Sequence, residues 1–129
     1  MPRQTKKTKK RAQSTVTEAR LYIVATLNNT IVTATDQEGS TLFWSSTGAA
    51  GFKGSRKATP YASTVAIEKV IDKMKQAGIS QLKVFLKGPG AGRDTALRVL
   101  RAAPFRIVQL ADITPLPHNG TRQRKQRRV

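Results

Sequence analysis

The distribution of positive charge decides how much of this chain can fold by itself. Its 129 residues carry 24 Lys and Arg against 7 Asp and Glu, a net charge of +17. Residues 1–20 hold seven cations and one acid, residues 121–129 hold five cations and none, and the remaining +6 is spread over 21–120. The two terminal stretches have scarcely any apolar side chains, so burial cannot offset the entropy of ordering them. They are expected to be disordered when free, as a basic arm over 1–19 and a basic tail over 115–129, leaving one α/β domain over 20–114. An apolar share of 38% is enough for a single core of that size.

A compact domain with so much like charge is most stable beside a polyanion. Nucleic acid is the first choice and an anionic membrane surface the competitor. No apolar run approaches the roughly 20 residues of a spanning helix. The first residues, MPRQTKKTKKRAQ, lack the apolar stretch of a secretory signal. Their Lys cluster also departs from the Arg- and Ser-rich pattern of a transit peptide, so Lys6, Lys7, Lys9, Lys10 and Arg11 are assigned to RNA. The absence of cysteine removes disulfides and thiolate metal sites, and the lone His118 cannot build a zinc site.

Within the domain, Arg20–Thr26 is β-branched and apolar and predicts a strand. Asn28-Asn29 breaks it, with positive φ values expected at a tight hairpin. Thr30–Thr35 and Thr41–Ser46 follow as strands, separated by the turn Asp36-Gln37-Glu38-Gly39. Thr59-Pro60 then reads as an N-cap and first residue of a helix that Gly78 stops. Ala62, Val65, Ala66, Val70 and Met74 form its apolar face, and Glu68, Lys69, Asp72 and Lys73 face away. A strand over Leu82–Leu86, a helix from about Arg93 to Ala102 and a strand over Phe105–Leu110 complete the pattern. A meander followed by strand–helix–strand–helix–strand predicts a mixed five-stranded sheet covered by two main helices.

Two loops carry the chemistry. In the first, Thr47 to Tyr61, Gly48 and the run Gly51-Phe52-Lys53-Gly54-Ser55-Arg56-Lys57 join close-approach glycines to cations at the start of a helix, where anions are favoured. Phe52 and Tyr61 add rings on which unpaired bases could stack. A flexible connector is the plain alternative, and the cation density argues for binding. In the second, Lys87-Gly88-Pro89-Gly90-Ala91-Gly92-Arg93 lies between a strand and a helix, with Asp112 near the end of the next strand. It is a poor dinucleotide fingerprint, because the spacing is G-x-G-x-G, Pro89 removes a donor and the helix is short. A phosphate nest flanked by Lys87 and Arg93 is the better reading, and a structural turn stays open beside it.

Catalysis has little to build on. Asp36, Asp94 and Asp112 are the carboxylates that could gather for two-metal chemistry. Asp36 is more simply a turn residue and Asp94 a complement to a helix dipole. No G-x-S-x-G elbow is present, and His118-Asn119-Gly120 reads as an exposed turn between prolines and the tail. An enzyme and a free-standing nucleic-acid chaperone or DNA-binding protein are the rival classes. No cofactor is implied.

These segments, taken in order with Asn28-Asn29-Thr30-Ile31-Val32-Thr33 and Asp112-Ile113-Thr114-Pro115-Leu116-Pro117-His118-Asn119-Gly120, resemble the family of ribosomal protein eleven of the small subunit, from about Arg20 to the C-terminus. The resemblance implies a three-layer, ribonuclease-H-like α/β fold without that fold's catalytic acids. It implies a structural, non-enzymatic role in the ribosome in the cytoplasm, of bacterial or plastid type, with no membrane partner. It places the protein on the platform, bound to small-subunit rRNA near the mRNA exit, with ribosomal proteins six and eighteen beside it and seven across the channel. To the RNA-binding residues it adds Asn28, Asn29, Thr30, Trp44, His118, Asn119 and Gly120, together with the tail cations Arg122, Arg124, Lys125, Arg127 and Arg128. Isoaspartate at Asn119-Gly120 is also implied by the resemblance. The sequence departs from the family's bacterial pattern after this turn: Thr121-Arg122-Gln123-Arg124-Lys125-Gln126 stands where Cys and then Arg-Pro-Pro-Lys-Lys are usual, keeping the charge and losing the prolines.

Overall fold

The computed structural model describes residues 17–128. Five strands and two α-helices follow in the expected order. The strands are β1 (Glu18–Ala25), β2 (Thr30–Thr35), β3 (Thr41–Ser46), β4 (Gln81–Lys87) and β5 (Arg106–Asp112). Helix α1 spans Pro60–Gln76 and α2 spans Gly92–Ala102, with a short 3-10 helix over Gly54–Ala58 before α1. The sheet order is β3-β2-β1-β4-β5. β2 is antiparallel to both neighbours, and β4 is parallel to β1 and β5. The fold is the expected α/β arrangement of a mixed five-stranded sheet with two main helices.

Alternation along the strands decides which face is covered. Ala19, Leu21, Ile23 and Ala25 of β1 are buried, as are Val32 and Ala34 of β2 and Leu82, Val84 and Leu86 of β4. They form one core with Ile67, Val70, Ile71 and Met74 of α1 and Ala96 and Leu100 of α2. Both helices therefore lie on the same side, and helices on a sheet are the layers that the described residues build. No described helix covers the opposite face, where Tyr22 and Phe85 stack across β1 and β4 at 5.1 Å. Each core aliphatic removed from water contributes about 1.5–3 kcal/mol.

The ends of α1 are set by residue type. Thr59 accepts a hydrogen bond at its hydroxyl from the amide of Ala62, and Pro60 occupies the first turn, where no amide partner is needed. At the other end Ala77 is the cap and Gly78 takes φ +80°. The Gly78 amide donates to Lys75 and that of Ile79 to Met74, a Schellman pattern. The buried face is broader than the sequence spacing indicated: Ser63, Ile67 and Ile71 join it, whereas Val65 is only half-buried.

Two local expectations need correction. Neither Asn28 nor Asn29 has positive φ; Asn119 is the one non-glycine residue with it among those described, at 57°. The β1–β2 turn is closed instead by Thr26, whose amide donates to the Asn29 carbonyl at 2.8 Å and whose hydroxyl accepts from the Asn29 amide at 3.0 Å. β5 also runs further than expected, to Asp112, and β1 starts earlier, at Glu18. The added residues are Glu18-Ala19 and Ala111-Asp112, in which only an alanine beside a carboxylate stands for the apolar pattern.

Candidate nucleic-acid interface

Because β1, β3, β4 and β5 all run the same way, the loops that follow them meet at one end of the sheet. That end gathers the β1–β2 turn, the loop after β3, the loop after β4 and the start of the tail after β5. Both candidate loops from the sequence are thus neighbours in space, although more than thirty residues apart in the chain.

The β1–β2 turn is the hub of this end. The Asn29 side-chain oxygen accepts from the Thr30 amide at 2.8 Å and from the Thr47 hydroxyl. The Thr30 hydroxyl pairs with that of Ser63 at 3.0 Å, and the Thr47 amide donates to the Thr30 carbonyl. Thr30 and Thr47 are buried, so they and Asn29 hold the turn, the β3 loop and α1 together. Asn28 is exposed and free to face a partner. Ser63 carries no signal in the sequence, since a single small polar residue has no spacing to mark it.

The β3 loop is more ordered than a flexible connector. Ala50 donates to Ser46, Gly51 to Gly48 and Phe52 to Thr47 through their backbone amides. Gly51 and Gly54 have φ values of +99° and +60°, which suit glycine at the entry to the 3-10 turn. Phe52 meets Tyr61 edge-on at 5.8 Å, so its ring braces the loop while Tyr61 remains 70% exposed. Lys53, Gly54, Ser55 and Arg56 are exposed, and Lys57 is half-buried beside Gly48. Among the described residues none of these cations has a carboxylate within ion-pair distance.

The loop after β4 is a packing device first. Gly88 has φ +97°, and any Cβ there would collide with the Ala25 carbonyl oxygen. A Cβ on Gly90 would run into the Thr26 carbonyl and lie 2.9 Å from the Ala25 carbonyl carbon. One on Gly92 would strike the Thr30 side chain. The Gly90 amide already donates to Ala25 at 2.9 Å and that of Gly88 to the Thr114 hydroxyl at 3.1 Å. Gly90 does not have positive φ, and its amide is spent inside the protein. The glycines serve close approach of two backbones, which favours the structural reading of this turn over a nest at Gly90.

Arg93 closes the loop. Its guanidinium donates to the Gly88 carbonyl at 3.1 Å and to Asp112 at 2.8 Å. Asp112 also accepts from the Thr114 hydroxyl at 2.6 Å and the Thr114 amide at 3.0 Å. These bonds, the Thr114 hydroxyl first, then its amide and Arg93, lower the Asp112 carboxyl from the ordinary 3.8 to about 2. Arg93 is therefore a clamp between the loop and Asp112 at the end of β5, and Lys87 is the exposed cation that this loop offers outward. A folded-state pKa below the unfolded value stabilises the fold above about pH 4, and that contribution is lost as pH falls toward 2. Asp112→Asn should accordingly flatten part of the acid limb in a pH series of thermal midpoints. An unchanged limb would show that the clamp does not contribute.

The remaining expected residues are dispersed. Trp44 is 58% exposed on the open face of β3, opposite Thr33 and two residues before the strand gives way to its loop. His118, Asn119 and Gly120 form an exposed bend, and Arg122, Arg124, Lys125, Arg127 and Arg128 continue from it without helix or strand. Lys6, Lys7, Lys9, Lys10 and Arg11 lie outside the described residues. Asp36 ends β2 at the end opposite Asp112, so the three carboxylates considered for metal chemistry do not meet. Among the described residues no helix is long and apolar enough to cross a membrane.

The family model described as Ribosomal protein S11 matches residues 19–128. This chain belongs to the ribosomal protein S11 family. A curated relative from Buchnera aphidicola, described as small ribosomal subunit protein uS11, is 50% identical over 121 residues, covering 94% of this chain and 93% of its own. Membership makes the protein a structural component of the ribosome and not an enzyme. The matched span takes in the five strands except Glu18, and both end loops, so the family's likeness and the geometry concern the same surface.

Proposed function

We propose that this protein, as a structural constituent of the small ribosomal subunit, binds small-subunit rRNA with the loop end of its sheet. The observation that carries this is the convergence of Lys53, Arg56, Lys57 and Lys87 at one end, none paired with a carboxylate among the described residues, where the tail with its five cations also departs. Phosphate contacts by such cations supply affinity and orient the protein, and exposed Tyr61 and Asn28 are placed to meet bases or sugars.

The basic arm over 1–19 and the tail over 115–129 would extend the contact beyond the domain over 20–114. β1 begins roughly 23 Å along that strand from the loop end, at the end of the sheet opposite the one where the tail departs. A platform position near the mRNA exit, with ribosomal proteins six, eighteen and seven as neighbours, is the placement that family resemblance supports.

Affinity measured against salt on the full chain tests the interface. Lys53→Ala, Arg56→Ala and Lys57→Ala should each weaken binding to small-subunit rRNA and lower the slope of log K on log salt by about 0.7–0.9. Their thermal midpoints should hold. A fixed slope with a collapsing midpoint would assign these residues to the fold instead.

A further inference from the structure

We propose that β5 is the docking edge for an extended apolar segment of another protein of the subunit, which adds to the sheet as a sixth strand. β5 is an edge strand of seven residues with no neighbour on its outer side among the described residues. Ile107 is 39% exposed, Val108 53% and Leu110 54%, and the exposed apolar run continues through Ile113 and Leu116. Ile107 and Leu110 pair with the core residues Leu82 and Val84, so they project on the helix side. Val108 sits on the open side near Arg20 and Lys83. Both faces of the strand thus present apolar side chains, beside a backbone row that pairs with no other described strand on its outer side.

Such edges are ordinarily blunted by Lys, Pro or a covering loop, because they recruit strands. Here no charge or proline falls between Ile107 and Ala111. In a chain of net charge +17, residues 107–117 carry one charge, Asp112, and it is already held by Arg93 and Thr114. That neutrality decides the occupant. RNA needs cations to meet its phosphates, and residues 107–117 hold none, the nearest being Arg106 at the start of the strand and Arg20 and Lys83 beside Val108 on the open side. A second copy would bring another +17 against the first. The chain's own ends do not fit either, since residues 1–16 and 118–129 lack an alternating apolar stretch. A protein segment that pairs through its backbone and fills both faces with alternate apolar side chains matches all of these features.

This inference rests on the protein working inside a multi-protein subunit, and its test reads β5 alone. Amide hydrogen exchange over 107–112 should be compared in the free full-length protein, with small-subunit rRNA alone, and in the intact subunit. The outward amides should exchange quickly in the first two and at least 100-fold more slowly in the third. Slow exchange with RNA alone would make RNA the occupant, and slow exchange with a doubled mass in the free protein would make it a second copy. Quick exchange in the subunit would leave the edge bare. Each of these overturns the proposal, while failure of the RNA reading would appear separately, in the salt slopes of the loop variants. The double substitution Val108→Lys with Leu110→Lys should keep the thermal midpoint within a few degrees and keep rRNA affinity. Subunits containing it should lose one neighbouring protein by quantitative mass spectrometry, and a full complement would again overturn the proposal.

Discussion

Gly90→Val should unfold this protein at temperatures where the wild type is fully native. The new side chain has no direction in which to go: its first carbon already overlaps the backbone of Ala25 and Thr26. Relief requires the loop after β4 to lift away from the β1–β2 turn, which breaks the hydrogen bond from Gly90 to Ala25 and the contact of Gly92 with Thr30. Forced overpacking of this kind costs on the order of 3 kcal/mol. For a domain near 100 residues that corresponds to a fall of roughly 12–24 °C in thermal midpoint. Gly90→Ala should show much of the same loss, because the collision begins at Cβ. Gly48→Ala is the control: its Cβ would stand 3.7 Å from Ser46 and 3.8 Å from Lys57, ordinary contacts, so stability should move by less than about 0.5 kcal/mol. Equal midpoints for the Gly90 variants and the wild type would refute the packing role. The folded fraction of Gly90→Ala should still bind RNA, since the amide at this position faces inward.

Removal of residues 121–129 should have the opposite signature. The described part of this segment is exposed throughout and has no helix or strand, so the thermal midpoint should not change. The segment nevertheless holds five of the chain's cations. If each meets one phosphate, the slope of log K on log salt should drop by about 4, and affinity at low salt should fall by orders of magnitude. Titrations at several salt concentrations, on the same preparation used for the melting curve, measure both. A tail-less protein with unchanged slope would show that the tail does not lie on RNA.

The contrast between these two variants shows what was legible in the sequence. β-Branched runs between Asn, Asp and Gly punctuation gave all five strands, and Thr59-Pro60 placed the start of α1, because local preference and tertiary packing agree there. The location of the cationic loops was equally legible, since charge density survives folding. Their internal roles were not. Gly90 and Gly48 look alike in sequence, and only the parallel pairing of β1 with β4 brings Gly90 onto the backbone of Ala25. Asn29 and Thr30 read as candidate RNA contacts, yet the turn uses their polar atoms to hold Thr47 and Ser63. Arg93 was grouped with the binding cations, but Asp112 and Gly88 occupy its guanidinium. Residues such as Thr114, which binds Gly88 and Asp112 from 26 and 2 positions away, carry no periodic or compositional mark.

Protein–RNA crosslinking in intact small subunits, mapped to single residues of this chain by mass spectrometry, tests the central claim most directly. Crosslinks to small-subunit rRNA are expected at Lys53, Arg56, Lys57, Tyr61 and Lys87 and along Arg122–Arg128, with the outer face of α1 at Glu68, Asp72 and Lys75 free of them. Crosslinks concentrated on that helix face, with the loop end and the tail silent, would contradict it.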